Sequence, residues 1–140
     1  MFDSRRRVLA SLFVLLFFAL PLAAQNSHLE GNVPDQTHFH QYLERDLRAY
    51  FQAETLEDEL LRDGPTQVGV SLPKYYLWVR AKDKTENVTA EGACRVAAIE
   101  KELFEVLQFL DKESISRDPE RLKSIFPAPL VPVILKRSLK

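Results

Sequence analysis

Ala93-Cys94-Arg95-Val96-Ala97-Ala98-Ile99-Glu100-Lys101-Glu102-Leu103-Phe104-Glu105-Val106-Leu107-Gln108-Phe109-Leu110 is the stretch whose conformation decides the fold. As one helix it would gather Val96, Ala97, Leu103, Phe104, Leu107 and Leu110 near a common face. At about 100° per residue, however, Glu100 would fall in the middle of that stripe, between Ala97 and Phe104, where a lone carboxylate is costly. Two strands meeting at Glu100-Lys101-Glu102 put the charges in a solvated turn instead. The sequence therefore predicts two strands here; the helical alternative would make the chain mostly helical.

Tyr75-Tyr76-Leu77-Trp78-Val79-Arg80-Ala81 has the aromatic and β-branched content of a strand and needs a neighbour for its backbone donors and acceptors. Ala93–Ile99 supplies one, with the polar stretch from Lys82 to Gly92 read as a long hairpin loop. Upstream, Val68-Gly69-Val70-Ser71-Leu72 alternates apolar with small or polar residues until Pro73 breaks the pattern. Glu54 to Asp63 is ambiguous. Its composition favours helix weakly, yet an edge strand ending before Gly64-Pro65 fits equally well. Before it, Phe39, Tyr42, Leu43, Leu47, Tyr50 and Phe51 recur every three or four residues and predict an amphipathic helix. Asp35 or Thr37 is placed to cap that helix, and Glu44 with Arg48 forms an i,i+4 pair on its wet side.

Ser116-Arg117-Asp118-Pro119-Glu120 reads as a second helix start, with Asp118 as cap and Leu122, Ile125 and Phe126 as the buried face. Pro127, Pro129 and Pro132 should then keep the chain extended, ahead of a greasy, basic end at Val133-Ile134-Leu135-Lys136-Arg137. The expected fold is α+β: an N-terminal amphipathic helix packed on an antiparallel sheet of three to four strands, with a short C-terminal helix. That element order resembles the cystatin-like and NTF2-like layouts, in which a helix lies across a curved sheet. The resemblance is architectural and implies no particular activity.

The N-terminus sets the compartment. Arg5-Arg6-Arg7, the apolar run Val8–Leu20 and Pro21-Leu22-Ala23-Ala24 follow the grammar of a secretory signal. A 13-residue helical core extends about 20 Å, short of the ~30 Å hydrocarbon layer, so cleavage is favoured over a permanent span. Residues 1–24 are read as the signal peptide, 25–34 as a flexible lead-in and 35–140 as a single α+β domain. The expected location is periplasmic or extracellular, with membrane contact only through the signal segment before cleavage; a retained leader would tether the protein instead. Ser4-Arg5-Arg6-Arg7-Val8-Leu9 also resembles a twin-arginine export motif, although the very apolar core suits the general route.

The full chain carries a net charge of −1, which becomes −3 once three arginines and Asp3 leave with the leader. Such a balance has no electrostatic footprint for nucleic acid. Cys94 is the only cysteine, so no intramolecular disulfide forms, and its apolar neighbours mark it as a core residue.

Few residues point to chemistry. His38 and His40 are two apart, which on a helix separates them by about 200° and prevents chelation of one ion. His40 with Glu44 is a possible ligand pair or oriented base without a third partner. Glu54, Glu57, Asp58, Glu59 and Asp63 lack the glycine-punctuated spacing of a calcium loop and read as a solvated face. Asn87-Val88-Thr89 fits a glycosylation acceptor but discriminates nothing. The remaining candidates share one strand face: Tyr76 and Trp78 as an aromatic platform, unless a covering helix buries both, and Arg80 as a clamp for a carboxylate.

No catalytic residue, metal site or cofactor is assigned. The sequence supports a small exported, non-enzymatic module that binds an unknown protein, peptide or small ligand. A small cavity-type enzyme and an envelope-tethered structural protein are the alternatives. Mass spectrometry of the protein recovered outside the cytoplasm should find a polypeptide beginning at Gln25; an intact chain retaining Met1 would contradict the cleaved leader.

Overall fold

The computed structural model describes residues 31–140, so the signal peptide and residues 25–30 of the lead-in lie outside the described residues. Within it, five consecutive side chains, Tyr75 to Val79, are all buried. Successive strand side chains point to opposite faces, so an unbroken buried run needs cover on both sides of a sheet. Tyr75, Leu77 and Val79 pack with Leu43 and Leu47 on one side. Tyr76 and Trp78 pack with Ile115, Leu122, Phe126 and Ile134 on the other.

The elements run α1 (Phe39–Phe51), β1 (Thr55–Leu60), β2 (Lys74–Lys82), β3 (Val88–Ile99), β4 (Leu103–Asp111), α2 (Lys112–Arg117), α3 (Arg121–Ile125), a 3-10 turn (Ala128–Leu130) and α4 (Val131–Ser138). The fold is thus α+β with a four-stranded antiparallel sheet in the order β1-β2-β3-β4 and short helices. Among the described residues no helix is long and apolar enough to cross a membrane.

Helix α1 follows its apolar spacing: Leu43 and Leu47 are fully buried, while Tyr50 at the stripe's margin is exposed. Asp35 shapes its entry, its carboxylate accepting from the His38 amide at 2.9 Å and its carbonyl from the Phe39 amide at 2.9 Å. The helix stops at Gln52, which takes the left-handed conformation (φ 51°) while the Ala53 amide bonds back to the Arg48 carbonyl. That stop resolves the ambiguity over 54–63 against helix: Thr55–Leu60 is an edge strand paired with β2. Leu56 and Leu60 are four apart, an interval compatible with both periods, so their spacing alone decides nothing.

The expected strands of 93–110 are present as β3 and β4, and Glu100, Lys101 and Glu102 form their exposed turn. Glu100 and Lys101 both have positive φ (52° and 66°), and Asn32 braces them. Its side-chain oxygen accepts from the Glu100 amide at 3.1 Å and its carbonyl from the Lys101 amide at 3.3 Å. The compact unit accordingly begins at Asn32. The β2–β3 connection is shorter than expected, because Val88 to Gly92 pair with β2 as strand. Val68 to Leu72 form no strand: Val68 and Val70 stand in solvent on a turn held by Ser71.

The C-terminal region departs most from expectation. Asp111 caps α2 by accepting from the Ser114 amide at 2.7 Å, so a helix begins directly where β4 ends. At Asp118 the backbone carbonyl, not the carboxylate, receives the Arg121 amide. Leu122 and Phe126 are buried as expected. Pro129 and Pro132 sit in the first turns of the 3-10 turn and α4, where proline's missing donor costs nothing, so the chain coils instead of extending.

One glycine is fixed by contact. Gly92 lies in β3 opposite Asp111, and a Cβ there would run into the Leu110 carbonyl oxygen and lie 2.7 Å from the Asp111 Cα. Gly92→Ala should destabilise the domain by about 2–3 kcal/mol in urea unfolding. Gly64→Ala, whose Cβ meets nothing within 4 Å, should leave the midpoint nearly unchanged.

Candidate functional site

Tyr76 and Trp78, offered as an aromatic platform unless a covering helix buries both, are 5% and 2% exposed and belong to the core. The cause is the helical layer α2–α4, which is more extensive than the single short C-terminal helix expected from the sequence. The Tyr76 hydroxyl is satisfied by Thr66 Oγ1 at 2.7 Å, and its ring packs 6.0 Å from Phe126. Tyr76 is thus structural.

Trp78 and Arg80 do meet at a site of a different kind. Cross-strand register aligns Glu59 with Trp78 and Glu57 with Arg80, while Arg80 faces Glu91 on its other side. The helical cover lies over the Trp78 row and ends before the Arg80 row, leaving a groove of about 500 Å³. Its walls include Glu57 and Glu59 from β1, Glu91 from β3, Lys112 from α2, and Arg137 and Lys140 from the chain's last turns.

The charges in this groove are interlocked. Arg80 Nε lies 3.8 Å from Glu91 Oε1, and the Trp78 indole donates to Glu91 Oε2 at 3.2 Å. Lys82 bonds Glu57 at 2.8 Å, and its ammonium holds the Glu57 carboxyl below the usual carboxylate range. Arg137 reaches Glu59 at 3.1 Å while its guanidinium lies 6.0 Å from the Trp78 ring centroid. These partners are substantially solvated, so each pair contributes only about 0–1 kcal/mol and exchanges partners easily. The arrangement suits recognition of a ligand bearing its own charges. Arg80 was legible as a candidate and Glu59 as part of a solvated acidic face; Arg137 and Glu91 were not, because only the folded chain brings α4 over β1 and sets Glu91 opposite Arg80.

The opposite face of β1 carries a second polar group. Asp58 points toward α1, and one carboxylate oxygen is buried without a hydrogen-bond partner. Burial raises its pKa, opposed by the charge of His40 and reinforced by that of Glu44. His38 is engaged elsewhere, with its ring nitrogen 2.8 Å from Asp35 and its ring stacked on Tyr42. Among the described residues, no group of three or more His, Cys, Asp or Glu side chains is arranged to hold a metal ion. Cys94 is fully buried, and desolvation pushes its thiol up to about 12, which leaves it without nucleophilic character at neutral pH.

No protein-family model, curated protein or solved structure matches the chain.

The folded Asp58 carboxyl holds its proton more tightly than the unfolded one. Its contribution to stability is therefore complete below the ordinary value of 3.8 and is lost as pH rises through the elevated value. Asp58→Asn should raise the unfolding midpoint at pH 7, with the gain shrinking toward zero on acidification below 3.8. A gain that persists unchanged in acid would contradict the burial argument.

Proposed function

We propose that this protein is an exported, non-enzymatic binding module that holds a polypeptide partner in the groove between the β1–β2 face and the end of α4. The observation that carries the reading is the gathering of Trp78, Arg80, Glu91, Glu59 and Arg137 around one open groove. Three of its carboxylates are already engaged by cations, which favours exchange of ion pairs with a partner over proton transfer. Arg137 lies across the groove, 3.1 Å from Glu59 and 6.0 Å from the Trp78 ring centroid, where it can exchange Glu59 for a carboxylate of the partner.

The arginine-headed leader supports work outside the cytoplasm, in the periplasm or extracellular space. A cystatin-like or NTF2-like layout is supported by α1 lying against the antiparallel meander; the helical layer over the other face is a departure from it.

A photo-crosslinking residue introduced at Arg137 in the native host tests the site. A discrete protein adduct is expected at this position and not at Lys123, which lies on α3 outside the groove. The same adduct pattern at both positions, or none at either, would contradict the proposal.

A further inference from the structure

We infer that the outer edge of β1 accepts an extended, lysine- or arginine-bearing segment of a partner protein as a fifth strand. This inference rests on reading the adjoining groove as the binding site and names the class of partner.

Strand β1 ends the sheet, and among the described residues nothing pairs with its outer side. The Leu61 amide donates inward to the Tyr76 carbonyl at 2.9 Å. Residues 59, 57 and 55 keep the same orientation in an antiparallel ladder, which aims the backbone groups of Leu56, Asp58 and Leu60 outward. Such an edge is a template for strand addition.

Charge selects the occupant. Glu54 to Asp63 holds five carboxylates and one cation, Arg62. A second copy of β1 would set Glu57, Asp58 and Glu59 against their own equivalents, and like charges across strands are unfavourable. An incoming strand with cations at alternate positions would instead lay them beside Glu57 and Glu59, with the groove of about 500 Å³ receiving their stems. Lys82 and Arg137 already demonstrate this pairing chemistry at the same two carboxylates. The opposite edge is guarded at its start. The Phe104 amide donates to Asp46 Oδ2 at 2.7 Å, and Arg45 donates to the Glu102 carbonyl.

The test uses a synthetic hexapeptide alternating lysine and valine, with an alternating glutamate–valine hexapeptide as control. Amide hydrogen exchange and the Trp78 indole resonance are followed by NMR on the purified protein. At saturating lysine peptide, exchange at Leu56, Asp58 and Leu60 should slow at least tenfold, while Glu57 and Glu59 change little. The double variant Glu57→Lys/Glu59→Lys, with its fold checked by an unchanged far-UV circular dichroism spectrum and a cooperative urea transition, should bind at least tenfold more weakly. A shifted indole without protection at Leu56, Asp58 and Leu60 overturns strand addition while leaving the groove as a peptide site. No response in either probe overturns both readings. Equal protection by the glutamate peptide overturns the charge selection.

Discussion

Two-sided burial of β2 is the constraint on which the rest of the molecule depends. A strand carrying Tyr75, Tyr76, Leu77, Trp78 and Val79 in succession cannot rest one face in water without exposing large apolar surface. Burying each such side chain is worth about 1.5–3 kcal/mol, so a single covering layer would forgo much of the available stabilisation. The chain answers with α1 on one side and α2–α4 on the other, and the sheet becomes the middle layer of three. The absence of any disulfide makes these two cores the source of stability.

Polar contacts then fix how the layers register. Asp46 joins α1 to the start of β4 through the Phe104 amide, with Arg45 bound to both Asp46 and the Glu102 carbonyl and stacked 4.8 Å from the Tyr42 ring centroid. Asn32 braces the neighbouring β3–β4 turn, whose two left-handed residues are not glycines. These contacts gather at one end of the sheet. The groove lies where the second helical layer runs out, so its position follows from the length of that layer rather than from any local motif. The groove's lining consequently comes from β1, β2, β3, α2 and α4 together.

Much of this was legible in the residues. The α1 stripe, the turn at Glu100–Glu102, the buried Leu122 and Phe126, and the inert Cys94 all followed from periodicity and composition. The full extent of the second helical layer, beyond one short C-terminal helix, did not, although its signal was present: a continuous apolar run in β2 calls for cover on both faces, whereas alternation would have called for one. Three prolines were read as breakers when two of them occupy first-turn positions that tolerate proline. The unforeseen extent of that layer left the Tyr76–Trp78 platform open beside burial by a covering helix, and it hid the approach of Arg137 to Glu59. Arg80 was recognisable from β2 alone because it interrupts the apolar run on the groove's side.

The sharpest test of two-sided burial is equilibrium urea unfolding followed by two probes, far-UV circular dichroism and the fluorescence of Trp78, the single tryptophan. If both layers are obligatory parts of one cooperative unit, the two transitions should coincide. A red shift of the tryptophan at lower urea, with the sheet signal intact, would mean that α2–α4 detach by themselves and that β2 tolerates an open face.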